Sequence, residues 1–137
     1  LQQWAKGAMG HSIALTEGIR VAVESTFVPE RSDPKRNLYF FAYTILIANE
    51  GELPARLISR HWMIRDANGR VEHVRGPGVV GKHPYLEPGE RFEYTSFCPL
   101  PTPIGSMRGS YLMTRDDGTQ FEAAIEEFGL EVPEALN

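Results

Sequence analysis

Asn37 to Asn49 reads Asn-Leu-Tyr-Phe-Phe-Ala-Tyr-Thr-Ile-Leu-Ile-Ala-Asn, an aromatic and β-branched run that is apolar at nearly every position and closes on Asn49-Glu50-Gly51. It falls short of the roughly 20 apolar residues of a membrane span, and its composition is that of a strand. The run predicts a central strand covered on both faces. The remaining sequence must then supply the covers.

It supplies them as further strands. Between Thr16 and Pro29, Ile19, Val21, Val23, Ser25 and Phe27 alternate with Arg20, Ala22, Glu24 and Thr26, the period of a half-buried strand. Glu30 to Lys35 is charged, contains Pro34, and reads as an exposed loop. Ala55 to Asp66 interleaves Leu57, Ile58, Trp62, Met63 and Ile64 with Arg56, Ser59, Arg60 and His61. Asn68-Gly69 then marks a hairpin, with Arg70 to Arg75 as the returning strand. A turn at Leu86-Glu87-Pro88-Gly89-Glu90 precedes an alternating strand from Arg91 to Phe97. Pro99, Pro101 and Pro103 stiffen the next connection, and Asp116-Asp117-Gly118 joins Met107–Arg115 to Thr119–Phe128. About seven strands with no helical period predict an all-β fold, an antiparallel sandwich of the fibronectin type III or immunoglobulin kind, with a closed barrel as the alternative. Trp62 and Tyr111 stand where such sandwiches carry a core tryptophan and a corner tyrosine.

The expected organisation is a disordered or non-native N-terminus over residues 1–15, one sandwich domain over 16–128, and a loosely held tail over 129–137. Cys98 is a lone cysteine and no Cys-x-x-Cys pairs exist to hold zinc, which points to a reducing, cytoplasmic setting or to indifference to redox. A net charge of -4 argues against a general nucleic-acid binder, so any contact with phosphate must come from a local patch. Neither a membrane span nor a secretory signal is visible. Open sheet edges predict a weak homo-oligomer.

The candidate site is Arg75-Gly76-Pro77-Gly78-Val79-Val80-Gly81-Lys82-His83-Pro84, a basic turn with glycines spaced G-x-G-x-x-G. Glycines at this spacing permit positive φ and close backbone approach, so consecutive N–H groups could face an anion. A dinucleotide fingerprint also needs a helix opening at the glycines, and Pro77, Pro84 and Pro88-Gly89 leave no room for one. Two readings stay open: phosphate binding by Arg75, Gly76, Gly78, Gly81, Lys82 and His83, or a tight inter-strand loop that uses glycine for geometry only.

Other chemistry is sparse. His61 and His73 flank the Asn68-Gly69 hairpin as prospective cross-strand neighbours, without the third ligand a metal site needs. Asp116-Asp117 is explained by its turn and Glu126-Glu127 by a strand edge, while Cys98 and Ser96 lack a base or a nucleophile elbow. No catalytic and no metal-binding residues are assigned, and a divalent cation is left open as a cofactor.

Several ordered segments together carry a resemblance: Phe40-Phe41-Ala42-Tyr43-Thr44-Ile45, Arg60-His61-Trp62-Met63-Ile64, Val74 to Gly81, Leu86-Glu87-Pro88-Gly89, Phe92-Glu93-Tyr94-Thr95-Ser96, and Gly105-Ser106-Met107-Arg108-Gly109-Ser110-Tyr111. From about Ile19 to Pro133 the chain resembles the ApaG family. The resemblance implies a fibronectin type III-like sandwich. It implies a cobalt and magnesium resistance label and an association with diadenosine tetraphosphate metabolism for bacterial members, and a protein-binding role for eukaryotic relatives. It also implies a pyrophosphate-binding role for the glycine turn, carried here by Gly76, Gly78 and Gly81.

The functional expectation is a non-enzymatic binding module that takes a pyrophosphate or nucleotide phosphate at the glycine turn, accessory to cobalt and magnesium resistance. The alternative is a protein-interaction domain that uses a sheet edge or the Pro99–Pro103 loop, with the glycine turn purely structural.

Overall fold

A computed structural model describes residues 10–133. Its strands are β1 (His11–Thr16), β2 (Ile19–Phe27), β3 (Tyr39–Asn49), β4 (Ala55–Asp66), β5 (Val71–Pro77), β6 (Tyr85–Leu86), β7 (Arg91–Leu100), β8 (Ile104–Thr114) and β9 (Gln120–Glu131). All pair antiparallel, in one sheet of order β1-β2-β3-β7 and a second of order β5-β4-β8-β9, with β6 also on β4. The result is the expected sandwich, with more strands than the sequence reading resolved. The turns form as their sequences require: Gly69 and Gly118 sit at positive φ in the β4–β5 and β8–β9 hairpins.

β1 lies inside the span set aside as a terminus. Its apolar side chains face outward: Ile13 and Leu15 face solvent, while Ser12 and Thr16 face β9. The Ser12 hydroxyl donates to the Glu126 carbonyl at 2.7 Å, and the Thr16 hydroxyl accepts the Ala124 N–H at 3.1 Å. The expected tail is likewise structured through Val132, because Phe128, Leu130 and Val132 turn inward and the Val132 N–H donates to Pro103 O. Expectations for residues 1–9 and 134–137 lie outside the described residues.

β3 is central but not covered on both faces. Phe41, Tyr43, Ile45 and Ile47 point into the core; on the outer face Leu46 is buried, while Phe40, Ala42, Thr44 and Ala48 are only half-buried. Across the sandwich the Tyr43 ring meets Trp62 edge-on at 5.3 Å, and Trp62 meets Phe128 at 5.9 Å and Tyr111 at 6.5 Å. The Tyr94 and Tyr111 hydroxyls bond to each other at 2.5 Å, joining β7 to β8 from opposite sheets. That bond satisfies two polar groups the core would otherwise strand.

Removing either feature has a measurable cost in urea or guanidinium denaturation. Trp62→Ala should destabilise by about 3–5 kcal/mol as a core aromatic truncation. Tyr111→Phe, which leaves the Tyr94 hydroxyl buried and alone, should cost about 1–3 kcal/mol. A Trp62→Ala protein as stable as the parent would contradict this core.

Candidate functional site

β5 and β6 form a single edge along β4, interrupted by the glycine turn. Gly78 N–H donates to Ile58 O at 2.9 Å and Leu57 N–H to Pro84 O at 3.0 Å, so the chain leaves β4 after Gly78 and rejoins it at Pro84. In between, Val79 and Lys82 exchange both backbone bonds at 2.8 and 2.9 Å, with Val80 at φ 43° and Gly81 at φ 77°. That is a two-residue turn with positive φ at both central positions, anchored by the buried Val79 side chain.

Each glycine has a geometric task. A Cβ on Gly78, at φ 57°, would run into the Lys82 carbonyl oxygen. A Cβ on Gly76 would sit 2.8 Å from the Arg60 guanidinium, which crosses Gly76 to donate to Pro77 O and Gly78 O, both at 2.9 Å. Arg60 thus ties the turn to β4, a role the sequence reading missed. Its signal was an arginine two residues before the inward Trp62, facing a glycine on the returning strand. Gly81 supplies the second positive φ and meets nothing within 4 Å.

The amides of Gly78, Val79 and Lys82 are therefore committed to carbonyls, and the turn does not present a run of free N–H groups. Val80 and Gly81, at the tip, keep theirs. The cationic side chains fall on two sides. Lys82 and His83 line a cleft of about 570 Å³ with Tyr85, Gly89, Glu90 and Arg91. Arg75 and Gly76 line another, of about 660 Å³, with Arg60, His61, Ser110 and Glu122. The His83 ring Nδ1 lies 3.2 Å from Leu57 O, and the Arg56 guanidinium donates to His83 O at 3.0 Å.

His61 and His73 do meet, with Nε2 of the first 2.9 Å from Nδ1 of the second and their rings stacked. Among the described residues, no three His, Cys, Asp or Glu side chains converge to hold a metal. No helix among them is long and apolar enough to cross a membrane. Cys98 is buried, and burial, then the Glu72 charge, pushes its thiol up to about 12.

Residues 29–115 match the family model of the ApaG domain. Over 126 residues the chain is 61% identical to Protein ApaG of Anaeromyxobacter dehalogenans (strain 2CP-C), covering 92% of this chain and 99% of that one. Protein ApaG of Bordetella pertussis is 55% identical over 119 residues, covering 87% and 91%. A crystal structure described as an ApaA protein from Bordetella pertussis, 51% identical, matches with a TM-score of 0.82 over 92% of this chain and 98% of its own. The chain belongs to the ApaG family.

Within this ApaG domain Val80 is the strained point of the turn, since a β-branched residue seldom adopts positive φ. Val80→Asn should raise stability by about 1 kcal/mol, and Gly78→Ala should lower it by about 1–3 kcal/mol, both read from denaturation midpoints. Cys98 should resist thiol reagents in the native protein and react once urea unfolds it, because a buried, raised thiol supplies almost no thiolate at neutral pH. Rapid native labelling would contradict that environment.

Proposed function

We propose that this ApaG domain is a non-catalytic binding module that holds a phosphate-bearing ligand, a pyrophosphate or nucleotide phosphate, against the cations that flank the glycine turn. The observation that carries this is the charge of residues 55–83, which hold six of the chain's 14 Lys and Arg, three of its 4 His and only two of its 18 Asp and Glu. Among the described residues none of those six cations makes an ion pair, although Arg20 pairs with Glu50 and Arg36 with Asp33 elsewhere.

With most turn amides committed to carbonyls, the contacts fall to side chains: Arg75 from one cleft, and Lys82 and His83 from the other. The glycines serve by shaping the turn between them. An accessory role in cobalt or magnesium resistance would then run through metal carried on the bound phosphate, in keeping with the oxygen ligands magnesium prefers.

One observation favours a second reading, docking of a protein. Phe97 on the edge strand β7 is 47% exposed, packs on Phe40 at 5.6 Å, and shares with it the Arg31 guanidinium, 4.2 and 5.1 Å from the two rings. Exposed aromatics beside an arginine are the residue types that anchor interfaces.

Amide chemical shifts during titration with pyrophosphate and ATP separate the readings. Gly76 to His83 should move, Arg75→Ala and Lys82→Ala should each weaken binding by about tenfold without loss of stability, and added salt should weaken it further. Unmoved signals at millimolar ligand would end the phosphate reading and leave the Phe97 surface as the candidate.

A further inference from the structure

On the outer face of the five-stranded sheet, His61 stands opposite Arg75 of β5 and Ser110 of β8. His73, on β5, reaches its ring nitrogen and faces a second hollow of about 360 Å³ lined with Arg65, Arg108 and Glu127. The histidine pair therefore sits between two basic hollows. The carboxylates nearby are tied elsewhere: Glu122 accepts from the Ser110 hydroxyl at 3.0 Å, and Glu127 from the Ser106 hydroxyl at 2.7 Å.

A 2.9 Å contact between two imidazole nitrogens needs one N–H and one lone pair, which two neutral rings supply. In that state one outward nitrogen, His61 Nδ1 or His73 Nε2, is bare. One more proton, taken from solvent onto the bare nitrogen, keeps the ring–ring bond and makes both outward nitrogens donors. Unliganded, the face resists that proton. Burial first, then the Arg75 charge, then His73 hold His61 below its usual range, with Glu122 pulling the other way. Arg60 lines the hollow beside His61 but donates to the Pro77 and Gly78 carbonyls, and Arg65, Arg108 and Glu127 line the hollow beside His73. An oxyanion against Arg75 would reverse the balance, because its charge offsets the repulsion and its oxygens accept the new N–H.

We propose that His61 and His73 act as one proton-accepting unit beside Arg75, so that an oxyanion of the phosphate class binds to this face together with a proton. The inference rests on the phosphate reading above and adds two residues and a pH dependence to it. Binding is strongest at low pH and weakens as pH rises and the pair loses the added proton.

Sulfate is the deciding probe, because its charge stays fixed over this range and any proton taken up belongs to the protein; pyrophosphate provides a parallel arm. Calorimetry in two buffers of different ionisation enthalpy should show net uptake of a fraction of a proton per sulfate, with affinity falling several-fold between about pH 6 and pH 8. His61→Gln and His73→Gln should each abolish the uptake and flatten the profile. The imidazole signals of His61 and His73 should titrate at higher pH with sulfate than without. Sulfate binding with no uptake, or uptake that survives His73→Gln, would overturn the proton-accepting pair and leave the anion site standing. Failure of both sulfate and pyrophosphate to bind would overturn both.

Discussion

The sandwich depends on one aromatic joint. Trp62 on β4 receives the edge of Tyr43 from the opposite sheet and meets Phe128 and Tyr111 from its own, and the Tyr94–Tyr111 hydroxyl bond crosses beside it. Large rings can bridge the roughly 10 Å between packed sheets, a span smaller side chains do not fill. The far side is closed differently, by the Ser12, Thr16 and Ser25 hydroxyls bonded to the backbone of β9. One edge of the sandwich is therefore laced shut by polar bonds, while on the other β5 and β7 stand apart over a cleft that Arg60 enters. The basic hairpin can project there without being needed to hold the sheets together.

Arg60 links that frame to the turn. Its neighbour on the inward face is Trp62, and its guanidinium passes over Gly76 to two successive carbonyls. The position of the turn is thus set by β4, the strand that also carries the core tryptophan. The strain at Val80 lies beyond this anchor, at the exposed tip, where the rest of the sandwich does not feel it.

The sandwich was legible wherever side chains alternated in the usual sense or a turn announced itself, as at Asn68-Gly69 and Asp116-Asp117-Gly118. At β1 the strand was missed because residues 1–15 were set aside as a terminus, and its faces stay ambiguous in sequence, because Ile13 and Leu15 point outward and only the inward hydroxyls reveal the strand's partner. The apolar composition of Asn37–Asn49 gave a central strand correctly and its burial incorrectly, since half-buried Phe40 and Ala42 look the same in sequence as buried Phe41. At the turn, the spacing of the glycines was visible, but the pairings that consume its amides were not: Gly78 donates to Ile58 O on β4, some 20 residues earlier, and Val79 and Lys82 pair with each other. The His61–His73 contact was foreseeable from the hairpin; its place between two basic hollows was not, because β8 and β9 complete it.

Charge on this chain is segregated, and segregation is costly for folding alone. At physiological ionic strength charges interact appreciably within about 8 Å, so cations crowded on one hairpin repel each other. A surface arranged only for stability would set Glu122 and Glu127 against Arg75 and Arg108, yet both carboxylates bond instead to serines on β8. On this hairpin Arg56 and Arg60 donate to backbone carbonyls, and Arg56 also lies over the Tyr85 ring. The sandwich tolerates this because its stability resides in the Trp62 joint and in the lacing to β9, both independent of these charges. In the function proposed above, an oxyanion supplies the counter-charge that this hairpin lacks, because its oxygens accept from guanidinium, ammonium and imidazole groups together.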